Sequence, residues 1–217
     1  MGLHARVGEA IGLDIVADVL PSSTGAAGNE GPQFIQGDVY DLPFPPASFD
    51  VVHAHQVLQH LSSPVQALSE MRRVLKPGGF IAARDAVYST MRGAPAIRAL
   101  DKWRSVYMAT CRRNGHEPDA GLYLQQWMLE AGFSLPELTY TTSSVTYSGV
   151  DDDFRRKWGE AWQERAVKSD FPKHAKRHGL ADQAELDAIS KGWQRWTEDP
   201  SSTWMYLNGE IVGEKPS

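Results

Sequence analysis

The densest run of groups able to do chemistry is His53-Ala54-His55-Gln56, followed closely by Gln59 and His60. Three imidazoles this close raise the question of a metal. Their spacing, 53, 55 and 60, matches no zinc pattern. On an extended segment His53 and His55 point the same way, while His60 lies beyond the next loop. No metal site is expected. Arg84, Asp85 and Tyr88 follow an apolar run and could reach a substrate there, although Arg84 with Asp85 reads equally well as a surface ion pair worth little. Two more carboxylates close short apolar runs: Asp14 in Gly12-Leu13-Asp14-Ile15, and Asp38 after Gln33-Phe34-Ile35-Gln36-Gly37. At the mouth of a parallel sheet such a carboxylate can accept two hydroxyl donors at once, or it can merely cap the next helix. The residues alone leave both readings open. Cys111 is most simply a packing residue.

These groups need a scaffold, and residues 36–85 supply its pattern. Phe49-Asp50-Val51-Val52-His53 is a β-branched run bounded by polar and Pro-rich residues, the pattern of a strand buried on both faces. Ser63-Pro64-Val65-Gln66 then offers an N-cap, a proline at the first helical position and a capping-box Gln. Val65, Leu68, Met71, Arg72 and Leu75 share one helical face before Lys76-Pro77-Gly78-Gly79 ends the helix, and Phe80 to Ala86 restarts an extended run. The product is a right-handed βαβ crossover with parallel strands. A long helix is expected from Pro95 to Asn114-Gly115, another over 121–131, and a strand over 138–147.

Residues 151–198 are charged and rich in tryptophan. Phe154, Trp158 and Trp162 fall on one amphipathic helix, and Leu186, Ile189, Trp193 and Trp196 on a second. The last run, 203–212, reads locally as a hairpin about Asn208-Gly209 or as one final strand. Residues 21–32, polar and rich in glycine, are expected to form a surface loop.

With 217 residues the chain fits one domain, and its net charge of -5 carries no electrostatic footprint for nucleic acid or an anionic membrane. A small-molecule or protein partner is the better expectation. The single cysteine rules out an internal disulfide framework and a Cys cluster for zinc, which points to a reducing, cytoplasmic setting. No apolar run approaches the ~20 residues of a membrane span. The oligomeric state has no sequence signature.

The order Gly37-Asp38, Leu42-Pro43-Phe44, Ser48-Phe49-Asp50, Leu58, His60, Pro64, Leu68, Glu70 and Arg73 to Gly79 resembles the class I S-adenosylmethionine-dependent methyltransferases. Within them it is similar to the ubiquinone/menaquinone-biosynthesis-like group. The resemblance implies an α/β fold with a doubly wound, mostly parallel, Rossmann-like sheet and a helical insertion, 151–198, before the last strand. That insertion would cover the substrate pocket as a lid, and 203–212 would be the final antiparallel strand with a bulge. S-adenosylmethionine is the implied cofactor. Asp14 would hold its ribose, with Ile15 against the adenine face or simply in the core. Asp38 and the Val39 amide would meet the adenine edge, where a carboxylate beside a free N–H complements an amine donor and a ring-nitrogen acceptor. His55 and Gln56 would line the methionine end.

The family's first strand and glycine-rich loop have no counterpart here, and Leu3 to Val7 resemble the tail of the helix that follows them. A single domain over 1–217, N-terminally incomplete and missing its first central strand, is therefore expected. The implied function is methyl transfer to oxygen, nitrogen or carbon of a small organic acceptor of quinone-pathway or secondary-metabolite type. The competing reading is a catalytically impaired methyltransferase-like fragment or binding protein. No catalytic residue is assigned; His55 or His60 could take the proton of a hydroxyl acceptor. A nicotinamide-dependent dehydrogenase would need an ordered G-x-G-x-x-G, and the sequence has none.

Overall fold

In the computed structural model residues 10–16 and 33–217 are described. The expected helix tail at Leu3–Val7 and the loop 21–32 lie outside them. Strands β1 (Ile11–Asp14) and β2 (Gln33–Gln36) form a parallel pair in register from Ile11 opposite Gln33 to Asp14 opposite Gln36. A second sheet has the order β3 (Phe49–His55), β4 (Leu75–Ala94), β6 (Thr203–Glu214), β5 (Leu138–Tyr147). The β3–β4 pair is parallel, as the crossover requires, and β4–β6 and β6–β5 are antiparallel.

Helix α1 (Pro64–Val74) makes that crossover and buries Ala67, Leu68, Met71 and Val74. Ser63 precedes it, but its side chain makes no cap hydrogen bond, so the expected capping box does not form. The other end is held differently. Lys215 donates from Nζ to the Arg72 and Leu75 carbonyls, satisfying acceptors that the helix leaves open. Strand β4 then starts at Leu75 itself, with Gly78 at a φ of 73° making the bend for which glycine is suited.

Strand β3 departs from expectation. Val51 is 60 % exposed, because among the described residues β3 pairs with β4 alone and its other edge faces a cavity. Of the two readings of 203–212, the single final antiparallel strand forms and the local hairpin at Asn208-Gly209 does not. Strand β6 runs straight through it, Asn208 is fully buried, and the irregularity falls between Val87 and Arg92 of its partner β4. Gly209 is needed for a different reason. A Cβ there would lie 2.0 Å from the Gly121 carbonyl oxygen, so helix α3 (Ala120–Glu130) rests directly on the sheet.

Two cores result. Leu58, Leu68, Val74, Ile81, Leu124 and Met128 fill the space between β3–β4 and helices α1 and α3. The other joins α2 (Arg98–Arg113), α4 (Asp152–Lys168) and α6 (Gln183–Glu198) to the far ends of β4 and β6. Trp103 is at its centre, with its ring centroid 4.6 Å from Trp162, 5.0 Å from Trp193 and 5.6 Å from Trp204. Between α4 and α6 runs the short helix α5 (Asp170–Arg177). The buried Arg155 ties α4 to the end of α6 by donating to the Trp196 and Asp199 carbonyls at 3.1 and 3.0 Å. The tryptophans of 151–198 thus face the sheet and form the core that fixes the helices onto it.

Candidate functional site

The first cavity, about 480 Å³, lies between the two sheets. Ile11, Leu13, Asp14 and Ile15 border it on one side, and Val51, Val52 and His53 on the other. Asp14 ends β1 and Asp38 follows β2, so both carboxylates reach the same crevice from adjacent parallel strands. Each is oriented by its own turn: the Val16 amide donates to Asp14 Oδ1 and the Tyr40 amide to Asp38 Oδ1, both at 2.9 Å. Ile15 is 63 % exposed, an apolar side chain left uncovered beside a carboxylate, and Val39 borders the crevice next to Asp38. The loop carrying Asp38 is clamped from α1. Glu70 accepts from the Leu42 amide, while Arg73 donates to the Leu42 and Phe44 carbonyls and pairs with Glu70 at 2.8 Å.

A second cavity, about 380 Å³, lies between the carboxyl ends of β3 and β4 and helix α4. Gln56 and His60 border both cavities. Gln56 sits at a φ of 58°, a left-handed conformation uncommon for a non-glycine residue and often found where function constrains the chain. Its amide donates to the Arg84 carbonyl, and its side chain links Asn208 on one side to Gln59 on the other. Gln59, buried, sits 3.2 Å from His60 Nε2. Burial, His116 and Arg165 together hold the His60 imidazole below its ordinary pKa.

His55 is differently engaged. It borders the second cavity only, not the first, and its Nε2 lies 2.7 Å from Arg84 Nη1. A guanidinium has protons only to give, so that nitrogen accepts and its lone pair is taken. Burial and the Arg84 charge lower the His55 pKa. The His53 and His55 rings lie 6.3 Å apart on one side of β3, and among the described residues no group of three His, Cys, Asp or Glu is placed to hold a metal ion.

The supposed Arg84–Asp85 ion pair is absent. Successive strand residues face opposite ways, so Arg84 meets Glu210 at 2.9 Å while Asp85 points into the first core. Asp85 is wholly buried and accepts from the Gln59 amide at 3.1 Å; desolvation pushes its carboxyl up to about 7. It anchors the turn that carries Gln59 and His60 and borders neither cavity. Tyr88 does border the second cavity, with its phenol pushed up by burial. Cys111 is part-buried with its thiol raised to about 11, as a packing residue should be.

Several site residues escaped the sequence pattern. Tyr147 of β5 and Tyr206 of β6 border the second cavity, yet they come from separate stretches of the chain and alternate with exposed residues like any inward-facing strand position. The Glu70–Arg73 clamp was visible as an i, i+3 pair, but its grip on the 42–44 loop was not.

Residues 2–83 match the family model described as a methyltransferase domain. The chain is 31% identical over 182 residues to an uncharacterised methyltransferase of Schizosaccharomyces pombe, covering 84% of this chain and 64% of that one. It is 40% identical over 191 residues to a protein of Aspergillus luteorubrus named as a methyltransferase, with 73% of this chain and 66% of that one covered. The chain thus spans slightly less than two thirds of the length of these curated relatives. Among solved structures, the YcgJ protein of Bacillus subtilis shares the fold, with a TM-score of 0.53 at 24% identity over 96% of this chain and 83% of that one. Residues 2–83 thus carry a methyltransferase domain, and the chain has the fold of the class I S-adenosylmethionine-dependent methyltransferases.

Proposed function

We propose that the protein transfers a methyl group from S-adenosylmethionine to an oxygen, nitrogen or carbon of a small organic acceptor of quinone-pathway or secondary-metabolite type. The observation that supports this most directly is the pair of cavities with a common wall at Gln56 and His60. One carries the two carboxylates and the apolar surface suited to an adenosine, and the other is roofed by helix α4.

The residues of the first cavity fit the cofactor. Asp14 would accept from the ribose hydroxyls, Ile15 and Val39 would flank the adenine, and Asp38 would accept from its exocyclic amine. Gln56 would border the methionine end, whereas His55, already bonded to Arg84, stands in the second cavity. Bound S-adenosylmethionine supplies a methyl group on a sulfonium, which already carries a good leaving group. The protein therefore has chiefly to align the acceptor and exclude water. The segment 151–198 acts here as a lid, placing α4 over the acceptor cavity. For a hydroxyl acceptor His60 is the better placed of the two, since it borders both cavities and its Nε2 faces only the neutral Gln59 amide at 3.2 Å, while that of His55 is held by the charged Arg84.

Calorimetric titration with S-adenosylhomocysteine, followed by transfer of a radiolabelled methyl group to a panel of small acceptors, tests this. Saturable binding that is weakened in Asp14→Ala is expected. No binding, or binding indifferent to Asp14 and Asp38, would overturn it.

A further inference from the structure

The wall common to the two cavities is held by a chain of side-chain hydrogen bonds that begins far away in the sequence. Asn208, fully buried on β6, accepts from Gln56 Nε2 at 3.1 Å, and Gln56 Oε1 accepts in turn from Gln59 Nε2 at 2.7 Å. The same Gln59 nitrogen stands 3.2 Å from His60 Nε2. Three amides thus lead to one imidazole. The amide atoms left over at the two ends, Asn208 Nδ2 and Gln59 Oε1, are buried without a partner among the described residues.

The backbone under the chain is anchored as well. Gln56, at a φ of 58°, donates its amide to the Arg84 carbonyl at 2.8 Å, and the Gln59 amide donates to the buried Asp85 at 3.1 Å. A side-chain amide can still turn end for end about its last torsion, but every link must set a donor against an acceptor. With the Asn208 oxygen toward Gln56, the Gln56 oxygen meets the Gln59 nitrogen, and that nitrogen gives its second hydrogen to His60. Nε2 of His60 therefore accepts. A neutral imidazole that accepts at Nε2 carries its proton on Nδ1.

We propose that Gln59 is a positioning residue that fixes neutral His60 with its proton on Nδ1, and that Gln56 and Asn208 hold the Gln59 amide in the orientation that does so. What this means for catalysis rests on the methyl-transfer reading, whereas the tautomer itself requires neither cofactor nor acceptor. Nδ1 bonds no other described residue, and His60 borders both cavities, so an acceptor oxygen reaching Nδ1 meets an N–H donor there rather than a lone pair. To take a proton at Nδ1, His60 must first carry its own on Nε2. That requires all three amides to turn together: Gln59 presents its oxygen to Nε2–H, Gln56 its nitrogen to Gln59, and Asn208 its nitrogen to Gln56. Asn208, which borders neither cavity, thus governs whether His60 acts as donor or as base.

The test is nitrogen NMR of the full chain carrying 15N-labelled histidine, without ligand, at about pH 8, above the ordinary histidine range. Correlation of each ring nitrogen with the carbon-bound ring hydrogens tells a protonated nitrogen from a bare one, and the His60 signals are those lost in His60→Gln. His55 is the internal standard, because the Arg84 guanidinium beside its Nε2 can only donate. His60 is expected to show the same pattern, Nδ1 protonated and Nε2 bare. Gln59→Leu, Gln56→Gly and Asn208→Ala should each shift His60 toward a mixture of the two tautomers while the His55 signals stay in place and verify the fold. Gln56→Gly is the cleanest of the three, since glycine adopts the left-handed φ at 56 freely and Gln59 keeps its contact with His60. With no Gln56 oxygen to satisfy, either end of the Gln59 amide can then face the imidazole. A parent His60 protonated on Nε2 or already mixed, or a tautomer that survives any of the three substitutions, would overturn the proposal. A parallel titration with S-adenosylhomocysteine keeps the two readings apart. The expected tautomer without binding counts against methyl transfer alone, and binding with the opposite tautomer counts against this inference alone.

Discussion

Asp14 ends β1, Asp38 follows its parallel neighbour β2, and both border one cavity, each with a single carboxylate oxygen turned back onto the amide two residues ahead. Both side chains are thus oriented before any ligand arrives. Replacing either by alanine removes a charged acceptor and its turn together. Each substitution should weaken S-adenosylhomocysteine binding by roughly 10-fold or more, since hydrogen bonds to charged groups are the stronger ones. Calorimetry on Asp14→Ala and Asp38→Ala checks this, and unchanged affinity in both would remove them from the site.

The buried Asp85 gives stability an unusual pH dependence. Its folded carboxyl, raised to about 7, lies above its unfolded value, so the unfolded chain loses this proton first as pH rises. The contribution of this group therefore falls between about pH 4 and pH 7 and then levels. Asp85→Asn keeps an acceptor for the Gln59 amide and cannot ionise. The difference in unfolding free energy, variant minus parent, should climb across that window by up to about 4 kcal/mol. A flat difference in denaturant titrations from pH 4 to pH 8 would show that Asp85 does not titrate there.

Glu70 and Arg73 hold the loop that carries Asp38. Glu70→Ala frees the Leu42 amide and leaves Arg73 without its partner, at a cost of about 1–2 kcal/mol, or a Tm fall of roughly 3–6 °C. Cofactor affinity should fall with it, because Asp38 loses its footing. Differential scanning calorimetry with a ligand titration reads both effects; a lowered Tm at constant affinity would mean that the clamp serves stability alone.

Trp103 carries more of the fold than any charged contact. It is fully buried and meets three other indoles. Trp103→Ala should cost about 3–5 kcal/mol, and the helices over the second cavity should loosen before the first core does. Hydrogen exchange should show lost protection in α4 and α6 with α1 and α3 largely retained; uniform loss would mean that the two cores unfold as one.

The sequence by itself determined what is local: the βαβ unit around Phe49, Pro64 and Phe80, the places of Asp14 and Asp38 after short apolar runs, and the two apolar helical faces of 151–198. Periodicity, proline and glycine set these within a few residues of one another, so they are legible before folding. Only the tertiary structure decided which groups meet. Arg84 pairs with Glu210, 126 residues away, rather than with its neighbour Asp85, because alternation along a strand sends adjacent side chains to opposite faces. The same alternation brings Tyr147 and Tyr206 to Trp158 from elements remote in the chain. Asn208-Gly209, a turn by local preference, is held straight because β6 has partners on both sides and α3 needs the glycine surface to approach. Pairing across the whole sheet outweighed the preference of two residues.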